Sequence, residues 1–381
     1  MPIHLKKLLF FFYAPPILAF LSYIGGGTQA TNTSFMICNL LCSFLLIILF
    51  KDKKNKIITI IYSIYFIICL ILYPQIEGSK MYLSTVLNTC IILLYFSSEK
   101  LNCNDDESKK IIDKTIFLFT IFLIVSQLLT INNPLSFIRF NYNSIEENAL
   151  DQKGYLISHT FGYYLAAFII YYAYKRKPIL MFICTIICFF FSRRTNILLC
   201  GLGWFYYIYK RFGTKYLLIS LIILFIIATS YISITSYFGD FAFSLDPSDS
   251  ESAAFTSGRT RFWGSFIVYM QSGLMDVGEY IWGFGPASSR EFNEIYAGLK
   301  VWMHNDFFDI AFCLGFCGLF LYLYTIYRVT KSLGIWILFF ILISANLNGF
   351  MLYQIYPIVL IFAIIKELKP VKNKFILLKN K

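Results

Sequence analysis

Long apolar runs separated by short polar turns make up most of the chain. A helix that crosses the hydrocarbon core of a membrane needs about 20 mostly apolar residues, and this pattern recurs along the sequence. It predicts about twelve transmembrane helices, near residues 8–24, 35–50, 57–73, 82–97, 115–131, 155–174, 178–192, 196–209, 216–235, 304–327, 333–347 and 350–365. Several of these runs are short, so some are expected to be re-entrant. The predicted fold class is therefore all-α, with residues 1–381 forming one polytopic integral membrane domain.

Basic residues are distributed unevenly between the two sets of turns. Most of the 33 lysines and arginines fall on the side of both termini, including the lysines between residues 51 and 56 and those from Lys366 onward. Cytoplasmic loops of membrane proteins are enriched in lysine and arginine, so both termini are predicted to be cytoplasmic. Orientation does not explain the basic residues of the outer loops, which are therefore candidates for binding an anion: Lys80, Arg139, Lys153, Arg193, Arg194, Arg259, Arg261, Arg290 and Lys300.

The longest polar interruption spans residues 236–303, on the outer side between predicted helices 9 and 10. Within it, Arg259 to Gln271 and Ala287 to Leu299 have the pattern of short amphipathic helices. Pro247 and Pro286 exclude one continuous helix through the segment, because proline breaks a helix interior. We expect this large periplasmic loop to bind a ligand near the membrane surface.

The composition excludes a soluble globular protein and disfavours nucleic-acid binding. Charged residues make up only 14% of the chain, against the usual ~25%. The net charge is +12, but the lysines form short clusters between apolar runs rather than one stripe, so no nucleic-acid partner is expected. All ten cysteines except Cys103 lie in predicted spans, where buried cysteine behaves as a small apolar residue.

Two arginine pairs carry the strongest signal for chemistry. Arg193 and Arg194 lie at an outer turn between short apolar runs, and ionisable residues near membrane depth often mark a functional site; the alternative is that both reach to lipid headgroups. Arg259 and Arg261 open a predicted helix, where guanidinium groups and free backbone N–H groups together suit a phosphate. The alternative for the second pair is a solvated loop.

His304 follows the long loop and opens the tenth predicted span, with Asn305 and Asp306 directly after it. An imidazole titrates near neutrality and can accept a proton from a sugar hydroxyl. The other two histidines, His4 and His159, are interpreted as structural. The acidic residues between 246 and 249 do not have the spacing of a metal-binding oxygen cage, so neither a metal nor a cofactor is predicted.

At these residues the chain resembles the bacterial superfamily of O-antigen polymerases and O-antigen ligases. The ligase-type signature is His, then Asn, Ser or Gln, nine residues, Gly, two residues and Gly. His304, Asn305, Gly315 and Gly318 match it. Two further segments are similar to arginine-bearing elements of the family: residues 257–259, Ser-Gly-Arg, and residues 192–195, Ser-Arg-Arg-Thr.

The resemblance implies a metal-independent membrane glycosyltransferase of GT-C-like architecture in the bacterial inner membrane. It would act at the periplasmic face on glycan linked to undecaprenyl pyrophosphate. His304 would activate the acceptor hydroxyl and Arg259 would act with it in catalysis. Arg193 or Arg194, and with a weaker match Arg261, would bind the pyrophosphate. The supporting residues would be Asn305, Gly315 and Gly318. Membrane lipid, a flippase and a chain-length regulator of the same pathway are the other expected partners.

Three alternatives stay open. A ligase, which transfers the finished glycan to lipid A-core, uses the same donor chemistry; the Ser-Gly-Arg element and Phe307 and Phe308 after the histidine motif favour a polymerase. A transporter of a polysaccharide precursor would show repeated halves, broken helices and charges inside its spans, whereas the predicted spans hold almost no acidic residue. A structural membrane subunit would need none of the arginines or His304.

Overall fold

The computed structural model of the chain is helical, with no strand among the residues that it describes. These are residues 9, 14, 17, 20–21, 41, 43–49, 52–74, 76, 78–98, 106–130, 152–191, 194–224, 226, 259–298, 300–347, 349 and 358–368. Most of the first predicted span, half of the second, the loop of residues 132–151 and the loop segment 236–258 lie outside them.

The described helices agree with the apolar pattern over most of the chain. They are α1 (Lys53–Leu72), α2 (Ser79–Ser98), α3 (Asp106–Thr130), α4 (Gln152–Tyr174), α5 (Pro178–Phe191), α6 (Arg194–Phe212), α7 (Thr214–Leu224), α8 (Arg259–Gln271), α9 (Val277–Trp282), α10 (Ser289–Ala297), α11 (Asp306–Leu333), α12 (Ile335–Leu347) and α13 (Val359–Glu367). Four of them, α1, α2, α3 and α11, are long and apolar enough to cross a membrane.

Helix α3 begins at Asp106 rather than near residue 115, where its apolar run begins. Its added first turns are polar and are held by ionic contacts. Lys109 contacts Asp106 at 3.1 Å within the helix, and Lys175 at the end of α4 contacts Asp113 at 3.1 Å. The hydroxyl of Tyr171 also donates to Asp113. Polar partners from a neighbouring helix therefore extend α3 beyond its apolar part.

Helix α4 lies at the centre of the described bundle. Its residues from Phe161 to Ala173 are all buried, and α3, α5, α6 and α13 pack against it. Two buried tyrosines of α4 have polar partners in α3: the hydroxyl of Tyr172 lies 2.7 Å from that of Thr120, and the hydroxyl of Tyr171 donates to Asp113. This satisfies polar groups that no water could reach in an apolar bundle.

Helices α2 and α11 end together at one pole of the bundle, which we call the lysine end. There the Ser332 hydroxyl donates to the backbone oxygen of Ser97, and Lys366 of α13 donates to Ser332 at 3.1 Å. Nearby, Arg328 donates to the side chain of Asn55 at the start of α1 at 3.1 Å. The opposite end of α2 lies against α10. The basic turns and the described part of the long loop therefore occupy opposite ends of the molecule.

The loop of residues 236–303 is packed onto the bundle over its described part. Its helices α8, α9 and α10 lie against the first half of α11 through aromatic side chains: the rings of Phe284 and Phe292 lie 4.6 and 4.7 Å from that of Phe312. The two amphipathic helices expected in this loop are present as α8, with the expected bounds, and α10. Helix α9 was not expected.

Candidate functional site

The start of α8 lies against the turn that holds His304. The Trp263 indole N–H donates to the backbone oxygen of Met303 at 2.9 Å, and the rings of Phe262 and His304 are 6.3 Å apart. Arg261 in the first turn of α8 is half-buried, and its Nε atom is buried with no hydrogen-bond partner in the described part of the chain. The structure thus brings Arg261 and His304, which lie 43 positions apart in sequence, into one region.

Helix α11 is not the continuous span that the apolar run predicts. Gly315 interrupts it with φ 63° and ψ −170°, a conformation that is essentially restricted to glycine. The chain therefore forms a short half-helix, residues 306–314, followed by a long helix, residues 316–333. The pattern of apolar residues does not reveal the break, because both pieces are apolar on the side that packs.

The half-helix folds back along the long helix. The Tyr322 hydroxyl donates to Asp306 Oδ2 at 3.0 Å, and the rings of Phe307 and Tyr322 are 5.9 Å apart. A straight helix would separate residues 306 and 322 by about 24 Å, which these side chains cannot bridge. The two pieces therefore meet at Gly315 in a narrow V, and the start of the half-helix points back toward the lysine end.

The loop after α9 fills the break in α11. The N–H groups of Phe284 and Gly285 donate to the carbonyl oxygens of Phe312 and Cys313 at 2.9 and 3.1 Å. The hydroxyl of Tyr65 in α1 donates to the carbonyl oxygen of Leu314 at 2.5 Å. Each of these carbonyls would need a new partner where a helix is interrupted, since an unpaired backbone group is costly inside a membrane.

Two glycines of the resemblance motif now have a physical explanation. A Cβ atom on Gly315 would lie 2.3 Å from the backbone oxygen of Ile281 and 2.6 Å from the nitrogen of Gly283. A Cβ atom on Gly318 would lie 2.3 Å from Leu314 Cβ. Gly315 therefore permits both the break and the close approach of the loop, and Gly318 permits the fold-back beside it.

Contacts of the neighbouring residues give the position of His304 along α2. Helix α2 is about 30 Å long at 1.5 Å per residue, close to the thickness of a hydrocarbon core. Ser332 meets α2 at its lysine end, and Tyr322 lies ten residues farther along α11, about 15 Å away. Asp306 contacts Tyr322, and Trp302, two residues before His304, stacks on Tyr82 near the other end of α2, so this segment lies in the half of α2 away from the lysine end.

Asn305 caps the half-helix. Its Oδ1 atom accepts from the N–H groups of Phe307 and Phe308 at 3.0 and 3.2 Å, and its Nδ2 atom donates to Asn346 Oδ1 in α12 at 3.2 Å. The cap satisfies backbone donors at a helix start, and the contact with Asn346 ties this start to α12. The supporting role expected of Asn305 is thus local and structural.

The start of α6 lies at about the same level along α12 as Asn346, the partner of Asn305. Helices α6 and α12 pack together, and the Trp336 ring at the start of α12 lies 5.2 Å from that of Tyr206. Asn346 lies ten residues after Trp336 in α12, and Asn196 lies ten residues before Tyr206 in α6, a distance of about 15 Å along each helix. Arg194 begins α6 two residues before Asn196.

The other candidate arginines are only partly described. The backbones of Arg194 and Arg259 begin α6 and α8, but their side chains lie outside the described residues, and so does all of Arg193. Arg261 and His304 are the candidate residues with described side chains, and contacts of Phe262 and Trp263 bring their segments together.

Two buried carboxylates accompany His304; both follow it closely in the sequence, which gave neither of them a role in the site. Asp306 and Asp309 are fully buried. Asp309 Oδ1 accepts from the Ser289 hydroxyl of α10 at 2.6 Å and from the N–H of Met303 at 3.4 Å. The only signal in the sequence was their position at the head of an apolar run; their partners are far away along the chain.

A further cation lies near the end of α2 that is opposite the lysine end. The guanidinium of Arg290 lies 5.5 Å from the centre of the Trp302 ring, whose other neighbour is the Tyr82 ring at 5.3 Å. Arg290 is one of the outer basic residues singled out from the sequence, and its stacked position fixes the segment that leads to His304.

The chain matches no protein-family model, no curated protein and no solved structure.

The arrangement is suited to an anion beside a proton acceptor. The start of α8 lies against the turn before the half-helix, the start of α6 lies at a similar level along α12, and each helix start carries partial positive charge. Arg261, whose Nε atom has no partner among the described residues, and His304 lie beside these helix starts. Across the described ranges, no three histidine, cysteine, aspartate or glutamate side chains form a group that could hold a metal ion.

Proposed function

We propose that this protein is an O-antigen polymerase, or the equivalent enzyme of another surface polysaccharide. It would transfer glycan from undecaprenyl pyrophosphate to a lipid-linked acceptor glycan at the periplasmic face of the bacterial inner membrane. The observation that supports this best is the packing of the Arg261-bearing start of α8 against the His304 turn, through Trp263 and Phe262.

The chemistry follows from that packing. Departure of a lipid pyrophosphate from the anomeric carbon leaves negative charge, which fixed guanidinium groups and helix starts can stabilise. Arg261 would contribute to this with Arg259 and with Arg193 or Arg194. His304 would accept the proton of the attacking hydroxyl, and attack from the face opposite the leaving group would invert the anomeric carbon.

The same proposal includes about twelve spans, GT-C-like architecture and cytoplasmic termini. The four helices long enough to cross a membrane support a part of this. The grouping of Arg328, Lys366 and Lys175 near the lysine end also favours it, because basic residues collect on the cytoplasmic side. The described part of the long loop would then face the periplasm, where a flippase delivers lipid-linked repeat units and a chain-length regulator acts.

Reconstitution in liposomes with undecaprenyl-pyrophosphate-linked repeat units tests the proposal. We expect a ladder of glycans on a gel, rising by one repeat unit at a time. His304→Ala should abolish it, and the matched histidine control His159→Ala should keep it. Transfer only after lipid A-core is added would make the protein a ligase. A normal ladder from His304→Ala would refute the assigned site.

One observation favours a second candidate, a transporter of a polysaccharide precursor. Broken helices with half-helix ends near the middle of the membrane, and polar groups within spans, are typical of transporters. Gly315 interrupts α11, and the half-helix before it carries the buried carboxyl groups of Asp306 and Asp309. Accumulation of labelled precursor in sealed vesicles, unaffected by His304→Ala and without any glycan ladder, would favour this candidate.

A further inference from the structure

The backbone just before His304 is held from two directions. The N–H of Met303 donates to Asp309 Oδ1 at 3.4 Å, and its carbonyl oxygen accepts from the Trp263 indole at 2.9 Å. Met303 itself is fully buried. The peptide groups on both sides of this residue are therefore fixed by side chains from α8 and from the half-helix.

His304 follows with φ 54°. Residues other than glycine adopt this left-handed region only occasionally, and histidine there is worth a physical explanation. Such a conformation persists where the surroundings determine it, and it is found often at functional sites. The unusual torsion lies between two held residues, since Met303 before it and Asn305 after it both make described hydrogen bonds.

The carboxylate that holds Met303 is itself held. Asp309 Oδ1 also accepts from the Ser289 hydroxyl at 2.6 Å, a short hydrogen bond between two fully buried side chains. Ser289 is the first residue of α10. A single oxygen atom thus links α10, the half-helix and the segment that leads to His304. Hydrogen bonds to a charged group are the stronger ones in proteins, which suits an oxygen that must keep one position.

We propose that Asp309 and Ser289 are positioning residues for His304. The serine hydroxyl orients the carboxylate, and the carboxylate holds the Met303 N–H. Together they fix the backbone that directs the imidazole toward the start of α8. The proposal rests on the proposed function only for the reaction in which His304 takes part; the positioning itself is a property of the fold and can be measured without substrate.

The low histidine content of the chain makes the measurement direct. The protein contains three histidines, His4, His159 and His304, so solid-state NMR of ¹³C-histidine-labelled protein in lipid gives few signals. His304→Gln identifies the signal of interest. Asp309→Ala and Ser289→Ala should shift or split it, whereas Asp309→Asn, whose amide oxygen accepts the same hydrogen bonds, should keep it.

Ser288→Ala is the matched control. The Ser288 side chain is also buried, and its hydroxyl donates to the backbone oxygen of Gly285 at 2.7 Å rather than to Asp309. The Ser288→Ala substitution removes a hydroxyl group one residue away from Ser289 and should leave the His304 signal unchanged. If Asp309→Ala does not fold, the comparison of Ser289→Ala with Ser288→Ala carries the test.

Turnover of the same preparations completes the experiment. We expect Asp309→Ala to lower the rate of ladder formation about tenfold or more, with the KM for the lipid-linked donor changed about twofold at most, and Asp309→Asn to restore it. An unchanged His304 signal in Ser289→Ala and Asp309→Ala, or an equal change in Ser288→Ala, would overturn the inference. A signal that moves as expected in protein that forms no ladder would instead refute the polymerase and leave the positioning role established.

Discussion

Replacing Gly315 with alanine should strongly destabilise the protein. The backbone torsions at this position, φ 63° and ψ −170°, cost about 1–3 kcal/mol for a residue with a side chain. The added Cβ atom would also lie 2.3 Å from the Ile281 oxygen. The contact is with backbone, which cannot turn aside as a side chain can, and forced overpacking costs about 1–3 kcal/mol.

The two terms together amount to about 2–6 kcal/mol, a large part of the 5–15 kcal/mol that stabilises a typical protein. If the loop after α9 moved away to make room, the carbonyl oxygens of Phe312 and Cys313 would lose their donors. Each buried carbonyl left without a donor costs about 1–3 kcal/mol. Movement of the loop would therefore not remove the loss of stability that Gly315→Ala causes.

Alanine substitutions at two other glycines distinguish the cost of the backbone conformation from the cost of the steric clash. Gly213 has φ +89° but open space around it, so Gly213→Ala should cost about 1–2 kcal/mol from the left-handed backbone alone. Gly201 lies inside α6 with nothing within 4 Å, and alanine there should be neutral or stabilising by up to about 1 kcal/mol.

The assay is denaturant unfolding of the purified protein in detergent micelles, with each variant compared at the same detergent concentration. The expected order of unfolding free energy is Gly201→Ala highest, then Gly213→Ala, then Gly315→Ala. Differences smaller than about 0.5 kcal/mol are within the usual error of such comparisons. If the unfolding free energies of Gly315→Ala and Gly213→Ala differed by less than this, the clash of the added Cβ atom with the loop after α9 would be refuted.

Further outcomes follow from the same contacts. Tyr322→Phe should lower the unfolding free energy by about 1–3 kcal/mol, because the buried Asp306 carboxylate loses a donor; an unchanged value would argue against the fold-back. Gly283→Ala should destabilise as Gly315→Ala does, since its Cβ atom would lie 2.5 Å from the Gly315 nitrogen, and the double variant should lose less than the sum by about 0.5 kcal/mol or more. A cysteine at exposed Tyr296 should react with a membrane-impermeant thiol reagent added outside spheroplasts; reaction only in inverted vesicles would contradict the proposed orientation.

Much of the described bundle could be predicted from the apolar pattern. The expected helix from Arg259 to Gln271 has those bounds as α8, because local amphipathic periodicity is sufficient to define a helix of this kind. Helix α9 was missed although a signal was present. Asp276 and Glu279 form a capping box at its start, a short sequence signature that marks the beginning of a helix.

The candidate site was only partly predictable. The sequence singled out His304 and Arg261, and the structure brings their segments together. It placed Asp309 one turn after the His304 segment but assigned it no role, and it did not indicate Ser289 or Asn346, because these roles depend on contacts between separate helices. A buried aspartate at the head of an apolar run looks like an ordinary first-turn residue until its partners are known.

The sequence by itself determined an all-helical chain with apolar spans and basic residues gathered in alternate turns. These properties are local: hydrophobic periodicity and charge can be read within a window of a few turns. Only the tertiary structure decided where His304 lies. The fold-back of the half-helix that follows His304 depends on the break at Gly315. The break is stable because donors from Tyr65, Phe284 and Gly285 satisfy the carbonyl oxygens that the interrupted helix leaves free.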